Sequence, residues 1–289
     1  MTRYTEKLSK YFSLVKFSHT VFAMPFALIG FSLAVSGTEH SFSLKLLMLI
    51  ILCMVFARNA AMGFNRLADR HFDALNPRTS SREIPSGKVT PFAAALFVII
   101  NAGLFILTTF FINSLAFRLS PVALAVILGY SLTKRITALC HFILGLGLSL
   151  APIGAYISVT GSFALLPVIF SLIVFTWSSG FDIIYALQDD DFDKSANLYS
   201  IPSLVGRKNA LVISSLLHVL TFALVIYAGF YGHSGIIYWA GALIFSGLLL
   251  YQHLIVNHDD LSRVNLAFGT TNGIASVIFA LFVISDLFL

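Results

Sequence analysis

Leu46-Leu47-Met48-Leu49-Ile50-Ile51-Leu52-Cys53-Met54-Val55-Phe56 lies inside an apolar stretch, residues 43–64, that runs straight into Asn65-Arg66-Leu67-Ala68-Asp69-Arg70-His71-Phe72-Asp73. A run of that length crosses a bilayer as a helix, at roughly 20 residues per crossing, and this one ends on carboxylates. Asn65, Asp69 and Asp73 stand at i, i+4 and i+8, which keeps them on one helical face with a drift of about 40° per step. The pattern recurs. Residues 163–187 form another apolar stretch leading to Asp189-Asp190-Asp191-Phe192-Asp193, where Asp189 and Asp193 share a face. The two clusters hold six of the thirteen acidic residues, so acidic charge is concentrated where two apolar segments meet water.

The rest is mostly hydrocarbon. Of 289 residues, 58% are hydrophobic and 11% charged, against about 25% charged in a soluble domain. Such a chain cannot build a water-compatible surface. It predicts an all-α polytopic membrane protein, with about nine transmembrane helices around a central cavity. The expected spans are 18–36, 43–64, 91–112, 116–133, 138–158, 163–187, 209–230, 236–256 and 266–286. The runs are too long, and lack the alternation, for membrane strands. Pro91 and Pro121 suit first helical turns, and Gly161, Gly232 and Gly235 suit tight connections. The basic segment Met1 to Lys16 does not have the pattern of a cleavable signal. Cys53 and Cys140, set in apolar stretches, read as reduced packing residues. Residues 1–289 read as a single transmembrane domain with two long motif loops, about 65–90 and 188–208.

Lysine and arginine orient the chain. Arg3, Lys7, Lys10, Lys16, Arg66, Arg70, Arg78, Arg82, Lys88, Lys134, Arg135, Lys194, Arg207, Lys208 and Arg263 fall on one side, fifteen of the eighteen. Lys45 and Arg118 face the other side, and Arg58 lies within a span. The excess places the N-terminus and both acidic clusters in the cytoplasm and the C-terminus outside. A bacterial inner membrane is the expected location. The net charge of +5 is spread over short loops, which argues for topology and against nucleic-acid binding.

Magnesium keeps several waters and is held by one or two carboxylates plus ligand phosphates. Two acidic faces at one membrane surface therefore suit magnesium bridging to a diphosphate. The arginines of Asn76-Pro77-Arg78-Thr79-Ser80-Ser81-Arg82 suit phosphate oxygens through their planar fork. Tyr130-Ser131-Leu132-Thr133-Lys134-Arg135 brings further cations to the same side. Lys88, Arg207 and Lys208 read as loop solvation. Asp190 and Asp191 fit solvation and ligand binding equally. Arg58 precedes Asn65 by seven residues and Asp182 precedes Asp189 by seven, so each shares a motif face deeper in the bilayer. A charge at a span centre costs roughly 2.5–3.5 kcal/mol. These two either pair with each other or face a polar co-substrate. His19, His141, His218 and His253 suit packing as well as proton chemistry.

Asn65-x3-Asp69-x3-Asp73 and Asp189-x3-Asp193 resemble the two aspartate-rich motifs of the UbiA-type intramembrane aromatic prenyltransferases. Tyr130-x3-Lys134 and Arg58 also match, and the resemblance covers the whole chain. The Asn-Pro-Arg-Thr run from Asn76 and the Arg-x-x-Pro-x-Gly run from Arg82 look like the quinone-pathway branch, which includes 4-hydroxybenzoate polyprenyltransferases. The resemblance implies a Mg2+-dependent transfer of a polyprenyl group from polyprenyl diphosphate to an aromatic acid, in ubiquinone or menaquinone synthesis. It implies that Asn65, Asp69, Asp73, Asp189 and Asp193 hold the metal and that Arg78, Arg82 and Lys134 neutralise the diphosphate. Tyr130, Arg58 and Asp182 are then substrate-binding. Arg66 departs from relatives that carry Asp after the motif asparagine, and the segment after Asp193 lacks their glycine and second lysine. Naphthoate, haem or a chlorophyll precursor are alternative acceptors. A transporter of a divalent cation or phosphorylated metabolite is the rival from another class. It would place ligands near the bilayer midplane at broken helices, whereas these clusters sit at one membrane face. Oligomeric state has no signal in the sequence.

Overall fold

The structure, a computed structural model, describes residues 22–289. His19 and the basic residues Arg3, Lys7, Lys10 and Lys16 lie outside the described residues. Among those described there is no strand. The chain runs through α1 (Met24–Ser36), α2 (Leu44–Ala68), α3 (Arg70–Leu75), α4 (Pro91–Phe110), α5 (Ser114–Thr133), α6 (Cys140–Thr160), α7 (Leu165–Ala186), α8 (Asp190–Ser195), α9 (Ile201–Val205), α10 (Arg207–Tyr231), α11 (Ile236–Ile255) and α12 (Asn272–Phe288). A 3-10 turn, Leu187–Asp189, joins α7 to α8, and a π-helical turn, Leu266–Thr271, leads into α12. Among the described residues, eight helices are long and apolar enough to cross a membrane, and α1 is a shorter apolar helix. The expected first span, 18–36, is represented among the described residues by α1, and its expected start at residue 18 lies outside them.

Local chemistry sets the helix ends. Ser43, Thr90 and Asn113 cap α2, α4 and α5 by accepting from the amides of Leu46, Ala93 and Ala116. Pro91 occupies a first turn as expected. Pro121 does not, because α5 begins at Ser114 and encloses it. Gly161 ends α6 in the left-handed region, φ 67°.

Helix α7 is the centre of the bundle. Of its most apolar window 67% is buried, against 17% for α2 and α5. Its Trp177 packs against Phe26 of α1 and Phe245 of α11. Close approach needs small residues: a Cβ on Gly30 of α1 would overlap the Pro152 carbonyl of α6. Buried polar groups bond one another. Trp177 Nε1 and Gln252 Nε2 both donate to Asn272 Oδ1, at 2.9 and 2.8 Å. Outside, Phe92, Leu243 and Ile236 are 79%, 75% and 82% exposed, an apolar surface suited to lipid and not to water.

Candidate active site

Asp69 leaves the helical region at φ −87°, ψ 5°, which ends α2, and α3 restarts at Arg70. Asp189 does the same after α7, at φ −110°, ψ 3°, and α8 restarts at Asp190. The expected continuous helix through Asn65, Asp69 and Asp73 is thus broken at Asp69. Backbone bonds from Asp69 N–H to Asn65 O (2.9 Å) and from Asp73 N–H to Asp69 O (2.8 Å) still carry the shared face across the break. The junctions are also alike in residues: Asp69-x-x-Phe72-Asp73 and Asp189-x-x-Phe192-Asp193. The phenylalanine before the second aspartate is a repeat that carboxylate spacing alone passes over. Both phenylalanines line one cavity of about 240 Å³ together with Asn65, Asp69, Asp73 and Asp189. Asp193, Arg58, Arg66 and Asp182 line it as well.

Each motif carboxylate meets a cation. Arg82 Nη1 lies 2.6 Å from Asp73 Oδ1, Arg135 Nη2 lies 3.3 Å from Asp69 Oδ1, and Lys134 Nζ lies 3.8 Å from Asp193 Oδ1. Arg78 grips Asp189 with its fork: Nε donates to Oδ1 at 2.9 Å and Nη2 to Oδ2. Asn76 Nδ2 donates to the same Oδ1 at 3.1 Å, and Arg78 Nη1 donates to the Tyr185 hydroxyl at 3.0 Å. The loop after the first motif therefore reaches across the cavity to hold the second. Burial opposes the Arg78 charge, but the Asp189 carboxylate and Tyr185 hydroxyl outweigh it and hold the guanidinium above its ordinary value. Burial is the largest influence on Asp69 and, with Asp73 nearby, holds its carboxyl above the usual range despite Lys134 and Arg135.

The donor set fits magnesium. Asp73 Oδ2 and Asp193 Oδ1 are buried with no hydrogen-bond partner, and such oxygens call for a ligand. Among the described residues, no three histidine, cysteine or acidic side chains converge as a ready-made cage.

Tyr130 lines the same cavity as Arg58, Asp69 and Asp182, so the end of α5 joins the motif residues to the charges within the spans. Arg58 Nε is buried without a partner. The Arg58–Asp182 pair, one of two expectations, is not formed: Asp182 Oδ2 instead lies 2.7 Å from His141 Nδ1. Arg207 is more than a solvated loop charge. It bonds Asp190 at 3.0 and 2.6 Å and Asp191 at 2.8 Å. Asp190 is buried in this clamp, whereas the Asp191 side chain is 84% exposed, and neither lines the cavity. Sequence reasoning misses Asn76, Arg135 and His141 as partners of the motif and cavity residues. It also misses Phe268, which the π-helical turn stacks on Tyr185 at 4.0 Å between centroids. Arg66 turns inward and is 3% exposed. His218 and His253 bond each other at 2.8 Å between α10 and α11 and do not line this cavity.

The model of the UbiA prenyltransferase family matches residues 23–282. The chain belongs to the UbiA prenyltransferase family. As a family member it is a multi-pass integral membrane protein and a transferase that attaches prenyl groups. It is 30% identical over 246 residues to the 4-hydroxybenzoate octaprenyltransferase of Tolumonas auensis, covering 85% of each chain. A UbiA homologue from Aeropyrum pernix K1, solved in the apo state, superposes with a TM-score of 0.83 at 31% identity, over 93% of this chain and 98% of that one. A UbiA homologue from Archaeoglobus fulgidus, solved bound to DMAPP and Mg2+, shares the fold with a TM-score of 0.75 at 23% identity, over 96% and 99%.

Proposed function

We propose that this chain transfers a polyprenyl group from polyprenyl diphosphate to an aromatic acid of the 4-hydroxybenzoate kind, a step of ubiquinone or menaquinone synthesis, on the cytoplasmic side of a bacterial inner membrane. The observation that carries this is the layering of one cavity. Paired cations and carboxylates line one part of it, where Asp73 Oδ2 and Asp193 Oδ1 accept no hydrogen bond, and Arg58 and Asp182, about two turns back along α2 and α7, line the rest. The name of the Tolumonas auensis relative supports the acceptor class, and the ligands of the Archaeoglobus fulgidus homologue support the metal and the donor.

Asn65, Asp69, Asp73, Asp189 and Asp193 hold magnesium. Bound there, it supplies Lewis-acid stabilisation to the leaving diphosphate. Arg78, Arg82 and Lys134 exchange carboxylate for phosphate oxygens and neutralise charge as the allylic C–O bond ionises. Phe72, Phe181, Phe192 and Phe268 wall the cavity, excluding the water that would otherwise capture the allylic cation as an alcohol. Their ring faces favour that cation. Arg58 receives the acceptor's carboxylate, Asp182 faces its hydroxyl, and Tyr130 bridges the two layers. A ring carbon then bonds the allylic carbon and the ring proton is lost.

The test is the purified protein in lipid, given a long prenyl diphosphate and Mg2+ with 4-hydroxybenzoate and a naphthoate side by side. Prenylated 4-hydroxybenzoate is the expected product. Product on the naphthoate alone moves the acceptor to that class. No product on either acid overturns the aromatic-acid reading.

A further inference from the structure

We infer that His141 is a positioning residue for the acceptor half of the site, holding Asp182 with one oxygen free for the acceptor's hydroxyl. The inference rests on the acceptor reading given above. His141 stands in the first turn of α6 and is 2% exposed. Its Nε2 lies 3.2 Å from the Ile201 amide nitrogen. An amide nitrogen only donates, so this ring nitrogen accepts and carries no proton. The proton is therefore on Nδ1, which donates to Asp182 Oδ2 at 2.7 Å. With both nitrogens engaged, the tautomer and ring rotation are set together.

The carboxylate is set with them. Asp182 and His141 both line the cavity, and the Asp182 side chain is 19% exposed. His141 takes Oδ2, while Oδ1 has no bond among the described residues. Arg58 lines the same cavity with an unpartnered Nε. A cation and an oriented carboxylate on one cavity match a ligand with an anionic group at one end and a hydroxyl donor at the other. Without His141, Asp182 could turn to Arg58, and each would neutralise the group the ligand needs.

His141 has a second connection, because Ile201 opens α9 just after the Asp193 junction. A purely structural histidine would act there, on the donor half. Two substitutions separate these roles. His141→Asn keeps an N–H near the Nδ1 position and removes the acceptor for Ile201. His141→Gln keeps an acceptor near the Nε2 position and withdraws the donor to Asp182. The experiment measures KM for each substrate and kcat, using 4-hydroxybenzoate and a prenyl diphosphate with the full-length protein in lipid. His141→Asn is expected within about threefold of wild type for the acceptor. His141→Gln is expected to raise acceptor KM about tenfold or more, with donor KM unchanged. The reverse order, a shift confined to donor KM, or wild-type kinetics in both variants overturns the inference. Should both variants lose the folded peak in size exclusion, Asp182→Asn decides. An acceptor-specific defect supports the inference, and unchanged acceptor kinetics overturn it. Wild-type protein that prenylates no aromatic acid overturns the acceptor reading itself, an outcome distinct from any of these.

Discussion

Arg78 shows how much depends on single side chains. Its fork spans both oxygens of Asp189 while its third nitrogen reaches Tyr185. Lysine carries the same charge without that geometry. Arg78→Lys is therefore expected to lower kcat about 10²-fold, the usual loss for one transition-state donor, with acceptor KM unchanged; steady-state kinetics check it. The motif aspartates were legible because their chemistry is written in local spacing. Their partners were not: Asn76 and Asp189 are 113 residues apart, and His141 and Asp182 are 41 apart. Sequence offset placed Asp182 on the motif face, but only packing of α6 against α7 selects His141 over Arg58 as its partner.

At the scale of elements, apolar length located the spans to within a few residues, because crossing a bilayer demands it. The irregularities escaped: the breaks at Asp69 and Asp189, Pro121 inside α5, and the π-helical turn before α12. Each departs from the regular pattern that hydropathy detects. The short helix α8 depends on a tertiary contact. Arg207→Ala leaves the buried Asp190 carboxylate without its two guanidinium bonds, a cost of about 1–3 kcal/mol. A lower thermal midpoint in detergent and a higher Mg2+ requirement for turnover are expected, since α8 carries Asp193. Gly30→Val drives a side chain into the Pro152 backbone. Size exclusion should show loss of the folded peak, because neither backbone can yield without separating α1 from α6.

For the whole molecule, the charge distribution leads to a directional prediction. In a background lacking Cys53 and Cys140, Asp191→Cys should react with an impermeant thiol reagent only from the cytoplasm, and Ser162→Cys only from outside. Labelling from the opposite sides would invert the topology. The arrangement of the bundle also explains why acidic clusters at the ends of separate spans can act as one site: the breaks after α2 and α7 deliver similar turns to a single cavity. That claim is tested most directly by Mg2+-dependent prenyl transfer to 4-hydroxybenzoate in wild-type, Asp69→Ala and Asp189→Ala membranes. The account predicts product in wild type alone, abolished by EDTA and restored by Mg2+. Product that persists in EDTA, or undiminished in both variants, would contradict it.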